Sequence, residues 1–266
     1  MKLVIENLTK EYGENLVLDD VSFTFESGKI YGLLGRNGSG KTTFFNCLDG
    51  LIQYKKGKFF IENEDKSTEQ LDSNNIGFVL TDPMLPEFLT GYEFIKTYME
   101  INKIDEVDKI NKYFEKVSLD KKDQDKLIKD YSSGMKNKVQ ILMCIILKPK
   151  VILLDEPLTS IDVVVAKEIK DIFKSLKKDH IIIFSTHILE LATSMCDEIA
   201  IINNKKIEQV DSNIIKSPSF ESKIVEILTN EKWYKTSQLY KKIKFINHCQ
   251  SIYLLFITCV YIISFL

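Results

Sequence analysis

Residues 35–42 read Gly-Arg-Asn-Gly-Ser-Gly-Lys-Thr, which fits the spacing G-x-x-x-x-G-K-[ST] at every fixed position. Glycines at 35, 38 and 40 let the backbone approach an anion closely. Lys41 supplies a point charge for the β- and γ-phosphates of a nucleotide, and the Thr42 hydroxyl is a hard oxygen donor suited to Mg²⁺. The apolar run Ile30–Leu34 precedes this loop and FFNCLDGL follows it, so the expected context is strand, loop, helix. The backbone N–H groups of residues 38–43 would then converge on phosphate oxygens at a helix N-terminus. An ordinary glycine-rich turn is the plainer reading, and the flanking elements favour the phosphate loop.

A second chemical position is VILLDEP. Four apolar residues deliver Asp155 and Glu156 to the carboxyl end of a buried strand, where α/β sheets place their ligands. Asp155 can hold Mg²⁺ through water, and Glu156 can act as general base toward an attacking water. Taken alone, the acidic pair is equally compatible with a helix cap or a solvated strand edge.

These residues need a scaffold, and the hydrophobic periodicity supplies one. Alternation marks strands at 2–9 and 16–25 around a turn at 13–15, with further strands at 29–34, 57–62 and 76–80. Residues 62–75 read as a polar loop. From Thr90 to about Asp130 the period turns helical, with mixed charges that suit a solvated helix face. A helix over 131–148 follows, then VILLDEP, a helix over 162–178, the strand and histidine of HIIIFSTH, a helix over 187–198 and a hairpin turning at Asn203-Asn204. Strands alternating with helices predict an α/β fold: a parallel-sheet core of the P-loop NTPase type, an antiparallel β subdomain and a helical arm inserted at about 82–135.

Composition narrows the possibilities. Lys+Arg number 36 against Asp+Glu 38, a net charge of −2, so the basic footprint of a nucleic-acid binder is missing. The cysteines at 47, 144, 196, 249 and 259 form no C-x-x-C pair and the three histidines are scattered, which argues against a zinc site or disulfide framework. The N-terminus has no apolar h-region, so no signal peptide is expected.

With these motifs in order, residues 1–210 resemble the ATP-binding subunit of ABC transporters. Tyr131-Ser-Ser-Gly-Met135 stands where that family has its signature sequence, and its form, followed by Lys136-Asn-Lys138, looks like the exporter branch. Ser132, Ser133 and Gly134 open a helix, an anion site that in the family closes on ATP held by the opposite subunit; read alone, the segment is a serine N-cap. The resemblance implies ATP contacts at Gly35, Arg36, Asn37, Gly38, Ser39, Gly40, Lys41, Thr42 and Thr43, with Tyr12 stacking on adenine, although packing at a strand end would also suit Tyr12. It implies catalytic roles for Glu156, His187 and Lys41, Mg²⁺ held by Thr42 and Asp155, and a D-loop carrying Ser160 and Asp162, whose plainer role is a helix N-cap. Thr81 departs from the pattern: the family has Gln or Glu there as a contact to Mg²⁺, and threonine is shorter but keeps one oxygen for that role.

The resemblance implies a second ATP-binding subunit as partner and, because residues 1–248 contain no apolar run of spanning length, a separate transmembrane permease. The implied cofactor is Mg²⁺ with ATP, and the implied place is the cytoplasmic face of the membrane. Export driven by ATP hydrolysis in a head-to-tail pair is the leading expectation; a non-transport, ATP-gated clamp is the alternative. The expected organisation is an ATP-binding domain over 1–217, a lysine-rich helical extension over 218–248 and an uncharged hydrophobic tail over 249–266. The tail is at the short limit for a membrane helix and follows several lysines, yet its β-branched and aromatic residues also suit a packed segment or an altered C-terminus, the preferred reading. On that reading, deleting 249–266 leaves membrane partitioning unchanged when the chain is expressed without a permease. A shift from the membrane to the soluble fraction on deletion would establish an anchor instead.

Overall fold

The structure is a computed structural model that describes residues 1–72, 75–158, 163–211, 215 and 220–229. Its strands are β1 (Lys2–Tyr12), β2 (Asn15–Glu26), β3 (Ile30–Leu34), β4 (Lys56–Glu62), β5 (Thr68–Gln70), β6 (Ile76–Val79), β7 (Val151–Asp155), β8 (Ile181–Thr186), β9 (Glu198–Asn203) and β10 (Lys206–Gln209). The helices are α1 (Lys41–Leu48), α2 (Gly91–Ile101), α3 (Ile110–Lys116), α4 (Lys121–Gln124), α5 (Ser133–Leu147), α6 (Val163–Leu176), α7 (Leu189–Met195) and α8 (Phe220–Thr229). The chain divides into two units between Phe220 and Glu221, and residues 221–229 of α8 are the described part of the second.

Two sheets carry the first unit. One has the order β10-β9-β3-β8-β7-β6, parallel except for the β9–β10 hairpin. The other is antiparallel, ordered β2-β1-β4-β5. This is the expected α/β core with its antiparallel subdomain. The central strands β3, β7 and β8 are buried along their whole length, as apolar strands covered on both faces should be.

Strand alternation divides that burial between two cores. Ile152 and Leu154 of β7, with Ile182 and Phe184 of β8, face a cluster built with α2, α3, α5 and α6. Val151, Leu153, Ile181 and Ile183 face the other way, onto α1 and the apolar side of β1 and β2, where Phe25, Phe44 and Phe45 are fully buried. The segment 82–135 holds α2, α3, α4 and the start of α5. Thr90 caps α2 through a capping box with Glu93, which fixes where the helical periodicity of the arm begins.

Several elements differ from the sequence-based expectation. Residues 62–75 contain β5, a three-residue strand that pairs with β4 at Thr68–Gln70. The charged stretch before Asp130 contains the short helix α4, capped by Asp120. The hairpin turns one residue later than expected, with Asn203 paired to Lys206 and both Asn204 and Lys205 at positive φ (48° and 67°). Positive φ at both central residues is what a tight two-residue hairpin requires.

Two helices lie unusually close to the parallel sheet. A Cβ on Gly32 of β3 would lie 2.9 Å from Cys196 Sγ, beside α7, and one on Gly77 of β6 would lie 2.9 Å from Cys144 Sγ of α5 and from Pro149 Cγ. Gly77→Ala is therefore expected to destabilise the protein by about 1–3 kcal/mol through overpacking. Adding Cys144→Ala should return part of that loss, read as the shift in urea midpoint across the four variants of the cycle. Additive midpoints would show that α5 does not rest on this contact.

Candidate active site

The phosphate loop leaves β3 at Leu34 and enters α1 at Lys41, as the flanking apolar runs predict. Two of its glycines adopt the left-handed region, Gly38 at φ 79° and Gly40 at φ 107°. Gly40 is the N-cap of α1, and no side chain caps that helix, so its first N–H groups are left to the loop's concave side. The loop also sits tight on the sheet: a Cβ on Gly35 would come within 2.5 Å of Ile202 Cγ2 and of Ser39 Oγ.

Lys41 is nearly fully buried. Its Nζ donates to the carbonyl oxygens of Gly35 (2.9 Å) and Arg36 (3.3 Å) and lies 3.6 Å from Glu156 Oε1. Burial pushes its ammonium below the ordinary lysine range, and the carboxylates of Glu156 and Asp155 oppose that shift. Further negative charge placed in the loop would help keep this cation protonated.

Asp155 ends β7 and is only 5% exposed. Its carboxylate accepts from Ser185 Oγ (2.5 Å) and from Thr42 Oγ1 (2.7 Å). Its carbonyl accepts from Thr81 Oγ1 at 2.7 Å, so Thr81 engages the main chain of Asp155 whereas Thr42 engages the carboxylate. Glu156 follows with φ 48°, and its N–H donates to Ser185 Oγ at 3.1 Å. Glu156 Oε2 lies 3.0 Å from His187 Nδ1, which places the glutamate between His187 and Lys41.

The fold thus brings five expected residues together: Lys41, Thr42, Asp155, Glu156 and His187. Ser132 serves as N-cap of α5, its Oγ accepting from Met135 N–H at 3.2 Å, with Ser133 exposed and Gly134 buried behind it. Tyr12 ends β1 with 48% of its surface exposed and Lys10 Nζ 4.3 Å from its ring centroid. Ser160 and Asp162 lie outside the described residues, as do 230–266. Ser185 was not foreseen as a site residue. Its signal was the switch from apolar to polar at the end of IIIFST, the same pattern that marks Asp155 at the end of VILLD.

The site suits a nucleotide polyphosphate and Mg²⁺. Ser39 Oγ is buried with no hydrogen-bond partner in the protein, an orphaned donor inside the loop. The Thr42 hydroxyl and Asp155 carboxylate form a small set of hard oxygens, the kind that holds Mg²⁺ together with substrate phosphates. Among the described residues no group of three or more His, Cys, Asp or Glu could form a metal cage.

A family model described as ABC transporter matches residues 18–159, which run from β2 through the phosphate loop to just past Glu156. An uncharacterized ABC transporter ATP-binding protein, YhcH of Bacillus subtilis, is 35% identical over 226 residues, covering 80% of this chain and 74% of that protein. The lantibiotic transport ATP-binding protein SrtF of Streptococcus pyogenes is 32% identical, covering 77% of this chain and 88% of its own length. The probable sulfate/thiosulfate import ATP-binding protein CysA of Chlorella vulgaris is also 32% identical, with 80% and 92% covered. A solved ATP-binding subunit of an ABC transporter shares the fold with a TM-score of 0.73 at 24% identity, over 85% of this chain and 99% of that one. The phosphate loop, the carboxylate pair at the end of β7 and these likenesses agree: the chain belongs to the ABC transporter ATP-binding family and is an ATPase.

Proposed function

We propose that this subunit powers export through a separate transmembrane permease, working as one of two ATP-binding domains that meet head to tail. The observation that carries the hydrolytic part is the position of Glu156, with one carboxylate oxygen 3.0 Å from His187 and the other 3.6 Å from Lys41. The export direction is supported by the Tyr131–Met135 form of the signature. It does not rest on the relatives, since one named for lantibiotic transport and one named for import match at equal identity.

In this reading, the loop N–H groups and Lys41 bind the triphosphate, and Tyr12 offers an exposed aromatic face for the base. Thr42 and Asp155 would hold Mg²⁺, which would supply neutralisation of developing phosphate charge. Glu156 orients the attacking water and accepts its proton, and His187 holds the second carboxylate oxygen so that the first is correctly aimed. Thr81 acts through the Asp155 carbonyl. The opening of α5 at Ser132, Ser133 and Gly134 meets the ATP of the opposite subunit, and Ser160 and Asp162 join the two sites.

No helix among the described residues is long and apolar enough to cross a membrane, and subunits of this family work with transmembrane permeases. Peripheral attachment at the cytoplasmic face through the permease follows as the proposed location. Exposed Met84 and Phe88, ahead of α2, together with the partly buried Phe94 and Tyr98, support the arm as the proposed docking side.

Glu156→Gln is expected to retain ATP binding, lower kcat by about 10²–10⁴-fold and accumulate an ATP-bound dimer. Nucleotide titration, steady-state hydrolysis and size-exclusion chromatography with MgATP read the three effects. Unaltered turnover in this variant would remove Glu156 as the base.

A further inference from the structure

Gln140 is a polar residue on the buried side of α5, 6% exposed, and neither the signature nor the nucleotide site accounts for it. Its side-chain amide makes three hydrogen bonds. Oε1 accepts from Leu80 N–H at 3.0 Å; Nε2 donates to Leu80 C=O at 3.1 Å and to Asn137 Oδ1 at 3.1 Å. Asn137, one turn earlier on the same helix and 3% exposed, donates from Nδ2 to Pro157 C=O at 3.3 Å.

Leu80 lies one residue past the last β6–β7 ladder pair, Val79 with Leu154, so the sheet offers its backbone groups no partner. The Gln140 amide stands in for the missing strand. The next residue, Thr81, donates to the Asp155 carbonyl at 2.7 Å. Two branches therefore leave Gln140. One runs through Leu80 and Thr81 to the carbonyl before Glu156; the other runs through Asn137 to the carbonyl of Pro157, just after it. With Ser185 holding the Glu156 N–H, the backbone around this glutamate is fixed on three sides. Its left-handed φ of 48° needs such support.

We propose that Gln140 is a positioning residue for hydrolysis, holding through Thr81 and Asn137 the peptide groups on either side of Glu156. The proposal rests on Glu156 being the general base. Gln140 touches none of the phosphate-loop residues in its hydrogen bonding, so it acts on turnover and leaves ATP affinity alone.

The test uses the full chain. Gln140→Met keeps the length of the side chain and removes its three hydrogen bonds. Its kcat should fall by about ten- to a hundredfold, since a misplacement of about 1 Å costs about 10²-fold, with the affinity for ATP within about twofold of wild type. The same substitution placed on Glu156→Gln should cause no further loss in single-turnover hydrolysis, because the group it positions is already gone. An unchanged kcat, a parallel loss of affinity, or an equal fold-loss in the Glu156→Gln background each overturns the proposal. Should Gln140→Met not fold, Thr81→Val removes one hydroxyl at nearly constant volume and cuts one branch alone; it must lower kcat at unchanged affinity, and normal turnover there overturns the proposal. Failure of Glu156→Gln itself to slow turnover strikes the general-base reading separately.

Discussion

The Asp155 carboxylate is the constraint on which the site depends. Taking a carboxylate out of water costs several kcal/mol unless hydrogen bonds and charge replace the solvent. Here the replacements are the hydroxyls of Ser185 and Thr42, with the Lys41 cation nearby. Ser185 belongs to β8, and Thr42 opens the helix that follows β3. Thr81, just beyond β6, holds the carbonyl of the same residue. One buried acid therefore ties the carboxyl ends of four parallel strands together. A one-residue slip of β7 would turn Asp155 into the opposite core and strand all three partners, so the register that packs the sheet is also the register that assembles the site.

Glu156 shows the local consequence. The strand direction that buries Asp155 cannot also present the next side chain to the same space, and the backbone resolves this by taking Glu156 to φ 48°. A non-glycine residue there carries strain of order 1–3 kcal/mol. The Ser185 hydroxyl offsets part of that, accepting from the Glu156 N–H while donating to Asp155. The same serine thus settles a buried charge and a strained turn. The result is a glutamate only partly buried, aimed between His187 and Lys41 instead of into the sheet.

The phosphate loop and Asp155-Glu156 were legible in the sequence because each is bracketed by apolar runs long enough to set the period. The parallel sheet was legible for the same reason: residues such as Val151–Leu154 have no polar face and must be covered on both sides. What escaped had no periodic signal. The three residues of β5 are polar and pair only at the edge of β4, and α4 is a single capped turn inside a charged stretch. The buried polar side of α5 was also missed. Nothing in the sequence ties Asn137 and Gln140 to the backbone groups of Pro157 and Leu80, far away in the chain. Backbone partners leave no trace in residue type.

That choice of partners has a mechanical meaning. The pair on α5 is neutral, so its hold on Leu80 and Pro157 changes little with salt or pH across the range where the chain is folded. It is also directional: one amide satisfies both a donor and an acceptor of Leu80, which an apolar side chain of the same size could not do without leaving two buried groups unpaired. Between the exposed opening of α5 and Gln140 lie about two turns of helix, roughly 10 Å at 1.5 Å per residue. Hydrogen-bonded helices of this length move as rigid rods more readily than they stretch. The residues that join α5 to both sides of Glu156 therefore lie on the same rod as the exposed Ser132 and Ser133.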